Sequence, residues 1–218
     1  MTILSLEFSS SVRSVAVWTS RIPPQTQIEV TAADERSSRI HPISLIDQAL
    51  QQSRINPREI NLIAVGLGPG SYTGVRSAIA IVKGWSLSFA IKMVGISSAD
   101  AVAEEAMKSG IVGAFHVVID AQRDEFYVAD YESDGRVASL QNELRILTRN
   151  QISKLEAPFT GPTLNALGLS GTEINPRARV VSQIAERRGE AGSAADLVPI
   201  YLRETAFIKA PPPRILPN

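Results

Sequence analysis

Apolar and polar residues alternate over residues 3–8 (ILSLEF) and again over residues 12–18 (VRSVAVW), with Ser9, Ser10 and Ser11 between them. A period of two, rich in β-branched residues, predicts a strand, a tight turn and an antiparallel return strand. After a break at Pro23 and Pro24, residues 27–32 (QIEVTA) read as a third strand. Over residues 38–53 the period changes. Ile40, Ile43, Ile46, Ala49 and Leu50 fall on one stripe, which is helical spacing, and Pro42 fits best in the first turn. INPREI follows as a turn and a short helical start. Residues 61–67 (NLIAVGL) read as a buried strand, and residues 73–90 as a long helix with Val75, Ile79, Val82 and Phe89 on one side. Gly84 costs such a helix about 1 kcal/mol relative to alanine, which points to close packing there. MVGIS is strand-like, and SSADAVAEEAMKSG reads as a helix between a capping serine and a terminal glycine.

The second half opens as the first does. Residues 115–120 (FHVVID) read as a strand, AQRD turns, and residues 125–131 (EFYVADY) run back. Glu7 ends the leading strand of one half and Asp120 that of the other. A β-branched residue follows eight positions later in each, Val15 and Val128. Two similar α/β lobes, each led by a hairpin, would explain the match; so would chance. Asp134-Gly135 is a hairpin signal, and beyond it the pattern weakens. RILTRNQISKL reads as a strand end and a short helix, APFTGPTLNAL as a short strand entering a glycine turn, and residues 193–198 as at most a brief helix. The proline-rich tail over 210–218 reads as loose.

Length and composition narrow the chemistry. At 218 residues the chain is one large domain or two small ones. It contains no cysteine, which excludes thiol catalysis, disulfides and thiolate metal sites. The formal net charge is zero, so no global pull toward nucleic acid or an anionic membrane follows. No apolar run reaches the roughly 18 residues of a membrane span, and MTILSLEFSSS does not read as a signal peptide. A cytoplasmic location is expected.

The segment with most chemical potential is GPGSYTG, residues 68–74, lying between the fourth strand and its helix. A glycine turn opening a helix can hold an anion on its N–H groups. Known fingerprints do not fit. A P-loop needs lysine after the last glycine, where Val75 stands; a dinucleotide loop needs one residue fewer between Gly70 and Gly74; a serine elbow needs glycines where Pro69 and Thr73 stand. Ligand contact and a close backbone approach to a neighbouring helix remain equal readings, and a strained turn with Thr73 as the N-cap fits either. Glu7 and Asp120 are candidate general bases or magnesium ligands, each without an identified partner. Neither His41 nor His116 belongs to a paired-histidine motif. His116 reads as a core or sheet-edge residue and His41 as a cap or surface residue. Glu104 and Glu105 read as a solvated helix face, Arg123 and Asp124 as the turn, and Trp18 and Trp85 as packing or interface residues.

GPGSYTGVR, with the helix running through Lys83-Gly84, resembles the signature of the TsaB (YeaZ) family, in the glycoprotease-like group. Four further stretches agree in order: ILSLEFSSS with VAVW, MVGISSADAVA, VVIDAQRDEFYVA and PIYLRETAF. His41 also falls where that family tends to have a histidine. The resemblance covers about residues 3–209. One departure is Glu7, where the family commonly has Asp; the longer side chain and Phe8 weigh against a nucleotide or metal at that turn.

The resemblance implies an actin-like ATPase (ASKHA) α/β fold with two ribonuclease-H-like lobes of mixed sheets, over residues 1–100 and 101–218. It implies a non-catalytic subunit in N6-threonylcarbamoylation of adenosine 37 in tRNAs reading ANN codons. Its partners would be a TsaD-like catalytic subunit, a TsaE-like ATPase, a second copy of itself, and tRNA through the complex. No metal or cofactor is expected in the chain, with weak ATP or ADP binding confined to the complex and Glu7 and Asp120 marking a vestigial nucleotide site. On this reading the loop Gly68, Pro69, Gly70, Ser71, Tyr72, Thr73 and Gly74 is a packing device. It brings two helices together so that His41, Leu45, Arg76, Ile79 and Lys83 face the partner. Arg76 and Lys83, at i and i+7, share one side. The alternative is a stand-alone nucleotide-dependent enzyme of the actin-like type.

Overall fold

The computed structural model describes residues 1–20, 26–33, 41–88, 90–156 and 158–202. Expectations at Pro23, Pro24, Ile40, Phe89 and the 210–218 tail lie outside the described residues. The first hairpin forms as its alternation predicts: β1 (Thr2–Glu7) pairs antiparallel with β2 (Val12–Thr19), and β3 (Thr26–Ala33) pairs with β2. Helix α1 (Pro42–Ser53) follows, with Pro42 in its first turn. A short 3-10 turn over Pro57–Glu59 leads into β4 (Leu62–Gly66), which joins β1 in parallel. Helix α2 (Tyr72–Ser86) and strand β5 (Lys92–Ile96) complete a sheet of order β3-β2-β1-β4-β5.

Helix α3 (Ser98–Lys108) then leads to a second sheet. Its strands are β6 (Gly113–Asp120), β7 (Glu125–Ser133), β8 (Ala138–Thr148), β9 (Phe159–Gly161) and β10 (Gly171–Glu173), in the order β10-β9-β6-β7-β8. Read from β8, the third, second, first, fourth and fifth strands stand side by side, as in the first sheet. The first three are antiparallel and the last two join in parallel in both. The repeat read from Glu7 and Asp120 is therefore a repeat of whole ribonuclease-H-like lobes in an actin-like fold.

Layers explain the burial. One face of the first sheet packs Leu4, Leu6, Val15, Val17, Ile63 and Val65 against α1 and α2. Its other face packs Ile3, Leu62, Ala64 and Val94 against α3 and a later helix, α5 (Ala178–Arg188). Covered on both sides, all six residues of β1 are buried, including Ser5 and Glu7. Helix α3 also packs Ala99, Val102, Ala103 and Ala106 on the second sheet, so it lies between the lobes. Helix α4 (Arg149–Ile152) is a single turn after β8.

Four sequence expectations are corrected. The chain after Asp134 is more regular than its pattern: β8 runs eleven residues, but as a largely exposed edge it carries little alternation. Helix α5 was not expected, although Val180, Val181, Ile184 and Ala185 have helical spacing and Gly189 closes it in the left-handed region. Glu104 and Glu105 are not a solvated face; Arg187 pairs with the first and Arg179 with the second. Gly84 is not a close-packed position, since a Cβ there would meet open space.

Candidate functional site: an inter-lobe cleft and a helical face

The glycine loop is built around the first hairpin turn. Ser71, not Thr73, caps α2, its hydroxyl accepting from the Gly74 N–H at 3.2 Å. The Ser71 N–H donates to the Ser9 carbonyl at 2.7 Å. A Cβ at Gly74 would overlap the Phe8 carbonyl oxygen, and one at Gly70, whose φ is +146°, would overlap that of Ser9. The close approach predicted for this loop is thus made, but to the β1–β2 turn of the same chain rather than to a helix.

Glu7 lies behind that turn and faces inward. It is fully buried; its carboxylate accepts from the Ser9 N–H and from the Ser98 hydroxyl, both at 2.8 Å. The Gly68 N–H in turn donates to the Ser98 oxygen, and the Ser98 N–H to the Gly68 carbonyl. Burial pushes the Glu7 carboxyl up from its ordinary value of 4.5, against the lowering pull of its Ser9 and Ser98 hydrogen bonds. Asp120, the counterpart in the second lobe, is half-buried and accepts two bonds from Gln122, from its N–H and its side-chain amide, both at 2.7 Å. The two carboxylates are not brought to one site: Asp120 lines the cleft between the lobes and Glu7 does not.

That cleft has a volume of about 590 Å³. The two hairpin turns form opposite walls, Ser9, Ser10 and Ser11 on one side and Asp120 to Arg123 on the other, with Thr163 after β9 and Tyr72, Tyr127 and Tyr201 as its aromatic lining. Gln122, Arg123 and Asp124 all adopt left-handed backbone, which tightens the second turn as expected for Arg123 and Asp124. Among the described residues the cleft offers hydroxyls, the Asp120 carboxylate, the Arg123 guanidinium and ring faces.

The second feature is the outer side of α1 and α2. His41 is the N-cap of α1, its Nδ1 accepting from the Ile43 N–H at 3.4 Å, as a cap reading predicts. Leu45 and Ile79 are a correction. Both are buried in the chain's own core, because the main apolar stripe of each helix packs on the first sheet. What remains outward is Ile43, 58% exposed, and a groove of about 270 Å³ lined by Ile43, Ile46, Ile81, Gly84 and Trp85. Gly84 therefore opens a surface instead of filling a contact. Arg76 is exposed and Lys83 half-buried on α2. His116, read from sequence as a core or sheet-edge residue, is neither: it is half-buried on β6, the central strand of the second sheet, with its Nδ1 2.7 Å from Asp130 Oδ1. Ile81 and Trp85 were missed as a pair; their i, i+4 spacing on α2 was the available signal.

Comparison with known proteins adds the lineage. A family model described as TsaD, tRNA N6-adenosine threonylcarbamoyltransferase, matches residues 30–186. The tRNA threonylcarbamoyladenosine biosynthesis protein TsaB of Escherichia coli (strain K12) is 32% identical over 134 residues, covering 62% of this chain and 56% of that protein. The chain thus spans little more than half the length of that relative. The Bacillus subtilis (strain 168) protein of the same name is 24% identical over 223 residues, 93% of this chain and 94% of that one. The solved structure of YeaZ from Pseudomonas aeruginosa has the same fold, with TM-score 0.76 at 22% identity over 92% of this chain and 99% of that one. With residues 30–186 matched by the TsaD model and relatives named TsaB matched over 62% and 93% of its length, the chain belongs to the TsaB (YeaZ) family.

Proposed function

We propose that this chain is a partner subunit in forming N6-threonylcarbamoyladenosine on tRNA, holding a TsaD-like catalytic subunit against its α1–α2 face. The observation that carries this is the apolar groove left open between two helices whose inner stripes are already satisfied. At about 270 Å³ it suits inserted side chains better than a metabolite. Arg76 and Lys83 on α2 and Asp47 on α1 add charge to the same two helices, and a polar surround is usual for an apolar interface centre. Glu7 supports a silent role: its carboxylate is spent on Ser9 and Ser98 inside the lobe. The relatives named as threonylcarbamoyladenosine biosynthesis proteins supply the pathway. A TsaE-like ATPase would support turnover, tRNA would be reached through the complex, and the setting would be the cytoplasm. The same groove serves a homodimer when the partner is absent.

The test is co-purification with the TsaD-like protein. Ile43→Asp, at the exposed groove residue, and Arg76→Glu are each expected to weaken the complex by on the order of 2 kcal/mol, roughly 30-fold, with unchanged circular dichroism and melting. A complex that survives both places the contact elsewhere. The alternative, a stand-alone nucleotide-dependent enzyme, is favoured by the cleft with Asp120 and Arg123 on its wall. Calorimetric titration of the chain with ATP and magnesium decides it: tight binding with turnover supports the enzyme.

A further inference from the structure

The last described residues return to the cleft. Gly192 exchanges backbone hydrogen bonds with Met93 of β5, and Leu197 is buried in the core of the first lobe. The Ile200 N–H then donates to the Leu67 carbonyl at 2.9 Å, just ahead of the glycine loop. Tyr201 stacks on Tyr72 with ring centroids 5.4 Å apart and planes inclined by 28°. Arg76, four residues along α2, holds the Tyr72 ring as well: its guanidinium carbon lies 4.9 Å from the ring centroid and its Nη1 donates to the Tyr72 hydroxyl. Both tyrosines line the inter-lobe cleft. Burial raises the Tyr201 hydroxyl above its ordinary pKa, with Tyr72 and then Tyr127 of the second lobe adding to the rise and Arg76 opposing it.

We propose that residues 198–202 are a strap closing one side of the inter-lobe cleft, clasped by Tyr72, and that Arg76 links this clasp to the docking face of α2. The link, though not the strap, rests on the partner reading given above. Its physics is competition for one guanidinium. A carboxylate on a docking protein offers the guanidinium an opposite charge and two acceptor oxygens in bidentate geometry, where the phenol offers one neutral oxygen. Arg76 therefore leaves Tyr72 when such a group arrives, the Tyr72 ring loses one of its two braces, and the strap opens the cleft beside the Ser9–Ser11 turn.

Amide hydrogen exchange on the isolated full chain tests both parts. Tyr201→Ala and Arg76→Gln are each expected to speed exchange at Ile200 by about 2- to 10-fold, the range that loss of one aromatic contact implies. Ile63 in β4 should keep its rate, and Tyr201→Phe, which retains the ring, should leave Ile200 as it is in the parent. An unchanged Ile200 rate in Tyr201→Ala, or an equal rise at Ile63, overturns the strap. An unchanged rate in Arg76→Gln alone overturns the link. No partner protein enters the measurement, so its outcome is separate from whether the complex forms.

Discussion

Glu7 shows how one side chain can change role without moving in sequence. Ending β1 in a sheet covered on both faces, it is buried, and burial favours its protonated form. With a folded pKa raised above the unfolded one, its contribution to stability is complete below about pH 4.5 and is lost as pH rises through the folded value. Glu7→Gln keeps an acceptor for the Ser9 N–H and can donate to the Ser98 oxygen. It is expected to fold and to remove that fall in stability; urea unfolding across pH 4 to 8 would show the flattened profile. Gly74 is the opposite case, with no freedom to change. Alanine there would drive its Cβ into the Phe8 carbonyl, a rigid neighbour, costing about 1–3 kcal/mol. The melting temperature should fall by roughly 2–4 °C for each kcal/mol lost. The identity of these loop residues was readable in the chain. What Gly70 and Gly74 approach was not, because the β1–β2 turn lies sixty-odd residues away in sequence.

At the scale of elements, α5 matters most. Its first turn is tied to the first sheet by the Ala178 N–H to the Ser14 hydroxyl at 2.8 Å and the Ser5 hydroxyl to the Ala178 carbonyl at 2.7 Å. Glu29 on β3, nearly buried, joins Arg177 at 2.8 Å and accepts from the Arg179 N–H at 3.1 Å. Removing one partner of such a cluster leaves the others desolvated and unpaired, so Glu29→Ala is expected to cost about 3 kcal/mol by chemical denaturation. The loss should be only weakly salt-dependent, since partly buried pairs are poorly screened. Helix α5 was hidden by its own composition: arginines and a glutamate around a narrow apolar stripe lower its hydropathy, and Pro176 just before it reads as a break. By contrast α1, α2 and α3 were legible, because wide apolar stripes and capping serine, histidine and proline signals mark them.

At the scale of the whole molecule, two lobes of one topology share a middle layer. The division at about residue 100 is proposed here as a division between sheets, not between independently folding pieces. Val180, Val181, Ile184 and Ala185 cover Ile3, Leu62 and Val94 on the first sheet. A fragment ending at residue 112 would expose that face. Such a fragment is expected to aggregate or to lack a cooperative melt, and co-expression of residues 113–218 should restore it; a folded, monomeric fragment would contradict this account of the middle layer.

The order of patterns along the chain determined the elements of the first lobe, the two leading hairpins and the site of the glycine loop, since period and turn chemistry are local properties. Tertiary structure alone decided which side of each element is covered. It buried Leu45 and Ile79, left Ile43 and Ile81 at an open groove, turned Glu7 inward and set Asp120 on the cleft. Those outcomes depend on layers that meet through space, such as α5 returning to a sheet completed about eighty residues earlier, and no local periodicity encodes what will lie opposite.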